Sequence, residues 1–217
     1  MPTAEPLAFE AIHRSTRPWT GPGREALRRA FDLVAATLLL VLSAPVAMLA
    51  ALAIRIEDQG PVLFRQTRVG YRGTPFLLVK FRSMHVDAEA DGVPRWAEEN
   101  DPRVTRVGRI IRLTRVDELP QLWNVLRGEM SLIGPRPERP AFVERLSREL
   151  PGYRLRHAVK PGVTGLAQVC AGYAASLDAA ARKLDYDLHY VANRSLRLDL
   201  RILAATVWVV LTAQGAR

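Results

Sequence analysis

The chain has 217 residues, with 31 Lys plus Arg against 22 Asp plus Glu and a formal net charge of +9. Hydrophobic residues make up 48% and charged residues 24%. Those totals exclude wholesale disorder and a many-pass transporter, and the length suits one or two domains.

Residues 1–23 contain several prolines and mixed charge, and read as a loose or surface-bound leader. Residues 24–56 form the next unit. Within it, positions 33–54 (LVAATLLLVLSAPVAMLAALAI) carry no charge at all. As a helix this stretch reaches roughly 33 Å, about the thickness of a bilayer core. A cleaved signal peptide fits poorly, because the stretch starts late and leads into no clean cleavage site. A buried soluble helix would need covering on every side. A full span and a re-entrant hairpin remain. Arginines flank both ends, among them Arg24, Arg28 and Arg29 before and Arg65 and Arg68 after. Basic charge belongs on one side of a membrane, so two basic flanks favour the hairpin, bent at Pro45. Ser43 would brace the bend by bonding a carbonyl that the proline frees. Arg28, Arg29 and Arg55 would meet lipid headgroups, and Asp32 would pair with a basic neighbour.

Residues 57–217 make the third unit. VLFRQTRV and FLLVKFRSM, set off by Gly60, Pro61, Gly70, Gly73 and Pro75, predict a hairpin. Residues 85–103 are polar and acidic, and predict an exposed loop with a short helix. VTRVGRIIRLTR at 104–115 places Arg106, Arg109, Arg112 and Arg115 at a spacing of three, near one helical face. A solvated face is the plain reading, and an anionic partner the sharper one. LPQLWNVLRG predicts a helix with Pro120 at its first position and Gly128 at its stop. Residues 139–150 predict an amphipathic helix. KPGVTG at 160–165 reads as a turn, and a helix follows over 176–190. Ile202 to Ala213 is too short to span a bilayer, and fits a surface helix or a buried strand-like segment.

Cys170 is the only cysteine. It excludes a disulfide framework, and in GLAQVCAG it reads as a small buried residue. His13, His85, His157 and His189 show no zinc-ligand spacing, and neither a Walker A sequence nor GxGxxG is present. Asp117 and Glu118 precede the proline-led helix. A helix cap is the plain reading. The alternative rests on the arginines upstream and on GPRPE downstream, with Arg136 and Glu138. An acid pair amid guanidinium groups suits a metal-bound diphosphate. A carboxylate can attack phosphorus, and its neighbour can hold Mg²⁺.

Several pieces of the string, in order, resemble the bacterial sugar transferases that act on polyprenyl phosphate, the monotopic phosphoglycosyl transferases. They are RRAFDLV at 28–34, GPVLFRQTRVG at 60–70, KFRSM at 80–84, DPRVTRVGRIIR at 101–112, DELPQLWNVLRGEMSLIGPRPE at 117–138, the KPGVTGLAQVC run from 160, and the closing DYDLHYVANRSLRLDLRILAATV. The resemblance covers nearly everything from residue 24 onward.

It implies a small α/β fold, a monotopic membrane-associated catalytic domain with an N-terminal re-entrant helix-break-helix and amphipathic surface helices. That domain would lie on the cytoplasmic face of the bacterial inner membrane, against anionic lipid headgroups. It further implies transfer of a sugar 1-phosphate from a nucleotide sugar, UDP-linked by family habit, to polyprenyl phosphate. Nucleoside monophosphate would leave, as in the first membrane step of exopolysaccharide, capsule or O-antigen assembly. Asp117 falls on the nucleophilic aspartate and Glu118 on its carboxylate partner, with Mg²⁺ held at Asp117 and the diphosphate. Arg112 falls on an arginine near substrate phosphate. Pro135, Arg136, Pro137 and Glu138 fall on the motif shaping the nucleotide and phosphate pocket, and Lys80 and Arg82 on a basic strand near the site. Nucleic acid is not expected as a partner, and a homodimer is left open. Two positions depart from the pattern. Serine usually precedes the bend-forming proline directly, whereas here the order is Ser43, Ala44, Pro45. Arg115 and Val116 stand where a small polar residue and leucine are expected.

Overall fold

The computed structural model describes residues 21–90, 92–93, 95–96, 100–171 and 176–212. The leader reading of residues 1–23 falls almost wholly outside them, as does His13.

The chain is a helix-dominated α/β protein. Helix α1 (Pro22–Glu57) is one uninterrupted helical element that runs through Pro45. Hence the expected helix-break-helix is not present as two helices. A proline removes one hydrogen bond, and the flanking turns continue the ladder. Ser43 donates to the carbonyl of Leu40 at 3.5 Å. The carbonyl that Pro45 leaves without its N–H belongs to Val41, so Ser43 does not brace it.

The start of α1 is tied down by polar side chains. Arg28 reaches Asp199 at 2.7 Å and also donates to the Tyr190 hydroxyl. Arg29 donates to the carbonyls of Val125 and Leu126. The buried Asp32 carboxylate accepts from the Ser131 hydroxyl and the Leu132 N–H, both at 3.0 Å. Arg28 and Arg29 are thus turned onto the protein and not outward, and the hydrogen bonds of Asp32 come from a hydroxyl and an N–H, while the exposed Arg55 donates to the Gly60 carbonyl at 3.2 Å. Residues 28, 29 and 32 sit one turn apart on the side of α1 that faces the domain. Its other end is tied as well. The Glu57 carboxylate accepts from the N–H groups of Arg106 and Val107, at 2.8 and 2.9 Å. Between the two attachments one side of the helix packs on the domain through Ala36, Ala50 and Ile54, and the rest is bare, with Leu42 75% and Leu49 69% exposed. Bringing such a side chain out of water is worth about 1.5–3 kcal/mol.

Strands β1 (Leu63–Val69) and β2 (Pro75–Phe81) form the expected antiparallel hairpin, with Leu63 opposite Phe81 and Val69 opposite Pro75. Among the described residues of 85–103 there are turns but no helix. Helix α2 (Arg106–Leu113) is capped by Thr105, whose hydroxyl accepts from Gly108. Only Arg106, Arg109 and Arg112 belong to it. Arg115 lies beyond, in a left-handed conformation at φ 59°. Helix α3 (Gln121–Arg127) begins one residue after Pro120 and stops at Gly128, whose φ of 82° suits glycine. Asn124 on α3 is fully buried. It takes the place of a strand neighbour for β2, accepting from the Val79 N–H and donating to the Leu77 carbonyl.

Strand β3 (Ser131–Ile133) pairs in parallel with β4 (Gly162–Thr164). The KPGVTG segment is therefore partly strand and not only a turn. Its pairing partner lies some thirty residues upstream, beyond the reach of local pattern. A Cβ on Gly162 would sit 2.1 Å from the backbone nitrogen of Gly134, so this close approach requires glycine. Helices α4 (Pro140–Glu149), α5 (Leu166–Cys170), α6 (Leu177–Asn193) and α7 (Leu196–Leu211) complete the domain. The main core gathers Ala36, Leu122, Val125, Met130, Leu132, Leu166, Tyr190, Leu198 and Ile202. Cys170 is buried in it as read. The apolar tail is helix α7, buried at Leu198 and Ile202 and exposed at Val207, Trp208 and Leu211.

Candidate active site

The site grows from three short segments. Helix α2 ends at Leu113, and the chain turns through left-handed Arg115 into a 3₁₀ turn, Val116–Glu118. A non-glycine residue at positive φ is strained, and such strain collects at functional sites. The turn buries Asp117 and Glu118 side by side, at 6% and 9% exposure. Strand β2 brings Lys80, held in register by the hairpin and by Asn124. The β3–α4 connection brings Arg136. The plain helix-cap reading of the acid pair fails, because neither carboxylate caps α3.

The two carboxylates have different surroundings. Glu118 is saturated. Arg136 grips it with two nitrogens, at 2.7 and 3.3 Å, and Lys80 donates at 3.3 Å. Burial opposes its charge, but Arg136 and Lys80 outweigh burial and hold its carboxyl well below the usual range. Asp117 makes no hydrogen bond to any described side chain. Its nearest cation is the Lys80 ammonium at 3.9 Å. Burial, reinforced by the charge of Glu118, pushes the Asp117 carboxyl up despite Lys80 and Arg136. Burial likewise pushes the Lys80 ammonium down.

Both acids open on one large cavity of about 1110 Å³, which Lys80, Arg112, Arg136 and Glu138 also line. Arg112 is half-buried there and forms no ion pair with a described residue. Glu138 pairs with Arg68 at 3.5 Å. Pro135 and Pro137 do not face this cavity. They shape the turn from behind, around a space of about 10 Å³. Arg82 also borders the cavity, but its guanidinium is turned to Asp58 at the end of α1, donating to the Asp58 carbonyl at 2.5 Å. Sequence reasoning thus finds Asp117, Glu118, Lys80, Arg112 and Arg136 as one cluster and places Arg82 among them, where it serves as a strut. It misses Arg68, Asn124, Arg156 and Asp187. These support the cluster from elements remote in sequence, and only for Asn124 and Asp187 does placement between apolar neighbours hint at burial.

Among the described residues, no group of three or more His, Cys, Asp or Glu comes together to hold a metal. A divalent ion here would draw on Asp117 and on oxygens of a substrate. That suits Mg²⁺, which takes one or two carboxylates plus phosphates and keeps its waters. The free, buried Asp117 carboxylate beside open space fits such a role.

Comparisons with known proteins find relatives over most of the chain. A family model described as bacterial sugar transferase matches residues 23–213. Over 191 residues the chain is 47% identical to the UDP-N-acetylgalactosamine-undecaprenyl-phosphate N-acetylgalactosaminephosphotransferase of Aeromonas hydrophila, covering 88% of this chain and 45% of that protein. It is also 47% identical over 191 residues to a UDP-glucose:undecaprenyl-phosphate glucose-1-phosphate transferase of Caulobacter vibrioides, covering 87% and 71%. The Escherichia coli protein of the same description is 46% identical over 193 residues, covering 88% and 41%. The chain therefore spans less than half the length of two of these relatives.

Proposed function

The chain belongs to the bacterial sugar transferase family, and on that premise we propose that it moves a sugar 1-phosphate from a UDP-sugar to undecaprenyl phosphate through a covalent intermediate on Asp117. The observation that carries this reading is the contrast between a saturated Glu118 and an Asp117 open to the cavity. A buried carboxylate without hydrogen bonds is a poorly solvated nucleophile and keeps its attacking lone pairs free.

In the first half-reaction an Asp117 oxygen attacks the sugar-bearing phosphorus. The P–O bond to the nucleotide breaks, and uridine monophosphate leaves with the bonding pair. In the second, a phosphate oxygen of the acceptor lipid attacks the same phosphorus, and the aspartate carboxylate is released. Lys80, Arg112 and Arg136 supply fixed positive charge for the phosphate oxygens in both steps. Glu118 holds Lys80 and Arg136 in place and stays ionised while doing so. Bound Mg²⁺, held by Asp117 and the donor's phosphates, would neutralise charge so that one anion can approach another.

The membrane reading follows from α1. Both of its ends grip the same domain, through Arg28, Arg29 and Asp32 at one end and Glu57 at the other. One domain cannot lie on two sides of a bilayer, which supports a re-entrant segment with both ends on one face; a nucleotide-sugar donor would make that the cytoplasmic face. Exposed Ile110, Leu113, Trp208 and Leu211 on α2 and α7 add apolar surface suited to the lipid interface.

The test uses the full chain in detergent with Mg²⁺, undecaprenyl phosphate, and either UDP-glucose or UDP-N-acetylgalactosamine. Release of uridine monophosphate with donor alone, to about one equivalent per enzyme, supports the covalent half-reaction. Release that strictly requires the lipid would sink it.

A further inference from the structure

The turn Pro135–Glu138 carries the arginine that grips Glu118, and its two prolines deprive it of two N–H donors. A turn that lacks its own donors takes its shape from outside. Here each of its four consecutive carbonyls is caught by a different group. Pro135 accepts from the Gly162 N–H at 3.0 Å and Glu138 from the Val69 N–H at 2.9 Å. Pro137 accepts from Arg68 at 3.2 Å. Arg136 itself accepts from the Arg156 guanidinium at 2.8 Å.

Arg156 differs from the other three donors. It is 5% exposed, and its charge is answered by Asp187, 2% exposed. The Arg156 Nε and one terminal nitrogen both meet Asp187 Oδ2, at 2.9 and 2.6 Å. The other terminal nitrogen donates to the Tyr153 hydroxyl at 3.2 Å. With Asp187 at one edge and Tyr153 at another, the guanidinium fork has a single orientation. In that orientation the nitrogen shared with Asp187 also points at the Arg136 carbonyl. Burying an ion pair is costly and gains little stability over an apolar packing of the same volume. A pair that aims one hydrogen bond at the backbone of an active-site arginine has another use.

We propose that Arg156 and Asp187 are positioning residues for Arg136: they fix its backbone so that its side chain meets Glu118 and the donor's phosphate in the reactive geometry. The contact runs from Asp187 to Arg156, to the Arg136 carbonyl, and through the Arg136 side chain to Glu118, next to Asp117. Both residues border the cavity, but both are buried, and their polar atoms are taken up by each other, by the Tyr153 hydroxyl and by the Arg136 carbonyl. This inference rests on the covalent half-reaction proposed above.

The test is a double-mutant cycle on the full chain in detergent. Arg156→Lys and Asp187→Asn are made alone and in an Arg136→Lys background. Uridine monophosphate release from the donor alone is followed in rapid mixing. The amplitude counts competent enzyme, and the rate constant reports the geometry. Each single substitution should slow the rate constant by about ten- to a hundredfold, the equivalent of one lost hydrogen bond to a charged group, with an amplitude near that of the wild type. In the Arg136→Lys background the further slowing should be less than about twofold, because the residue being positioned is already altered. Full additivity, or a fall in amplitude at an unchanged rate constant, overturns the proposal and leaves a merely structural ion pair. Should Arg156→Lys fail to fold, Asp187→Asn, which keeps an acceptor in place, decides the same comparison. Absence of release from the wild type would instead strike the proposed reaction, and the steady-state turnover cycle would then read the positioning effect.

Discussion

The two sides of the active site are built on opposite principles. On the side of the PRPE turn nearly every charge is answered: Glu118 by Arg136 and Lys80, Arg156 by Asp187, Glu138 by Arg68. On the cavity side Asp117 has the Lys80 ammonium at 3.9 Å and no hydrogen bond to a described side chain, and Arg112 forms no ion pair with a described residue. The contrast separates a wall, where electrostatics are spent on rigidity, from a face where charge is left free for the substrate. A substitution on the face should cost turnover and spare stability. One in the wall should cost both.

Asp117→Asn is the sharpest probe of the face. It should lower turnover by roughly 10⁴-fold while the melting temperature stays within a few degrees of wild type, since no hydrogen bond is lost. Thermal unfolding alongside uridine monophosphate release checks both halves. Chelation of divalent ions should act on the same face, lowering turnover to about one part in a hundred and recovering on added Mg²⁺. Unchanged turnover after exhaustive chelation would remove the metal from the reading.

Glu118→Gln probes the wall. It leaves Lys80 and Arg136 without their anion, and should cost about 2 kcal/mol of stability together with roughly a hundredfold in turnover. Loss of turnover without any loss of stability would show that the division between wall and face is false at this residue. His157 probes the wall through pH. Burial, with the charges of Arg156 and Arg154 beside it, pushes its imidazole down to about 4. In the unfolded chain it titrates near about 6.5. The unfolded state therefore binds the proton first. This contribution to stability is complete above about pH 6.5 and is lost as pH falls toward about 4. Melting temperatures over that interval should fall less steeply in His157→Gln than in wild type. The smallest effect belongs to neither side. Ser43→Ala removes a bond of 3.5 Å and should change stability by less than about 0.5 kcal/mol.

Local pattern revealed the face more fully than the wall. Asp117 and Glu118 are adjacent, Arg112 lies five residues before Asp117, and the hairpin carrying Lys80 alternates clearly between its glycines. The helices of residues 139–150 and 176–190 declare themselves by period and caps. The wall depends on pairings that no window contains. Arg156 meets Asp187 across 31 positions and Arg136 across 20. The three-residue strands β3 and β4 are too short to show a period, so the KPGVTG segment looks like a turn until Ser131 lies opposite Gly162. The arginines before the apolar stretch misled for a related reason. Composition marks them as a basic flank, but Arg28 finds Asp199 a full 171 positions away.

That last separation bears on the order of synthesis. Helix α1 leaves the ribosome before every group that its first turns grip, and the Asp199 carboxylate that pairs with Arg28 is made only with α7. Through most of translation the apolar middle of α1 has only lipid to shelter it, while its polar turns have only water. On the membrane reading proposed above, the bilayer would act as the first folding partner, and the domain would close onto a helix already in place. A ribosome stalled between Asn193 and Asp199 would carry a chain with Asp117 and the cavity arginines complete and Arg28 still lacking Asp199, although the groups gripped by Arg29, Asp32 and Glu57 have all been made.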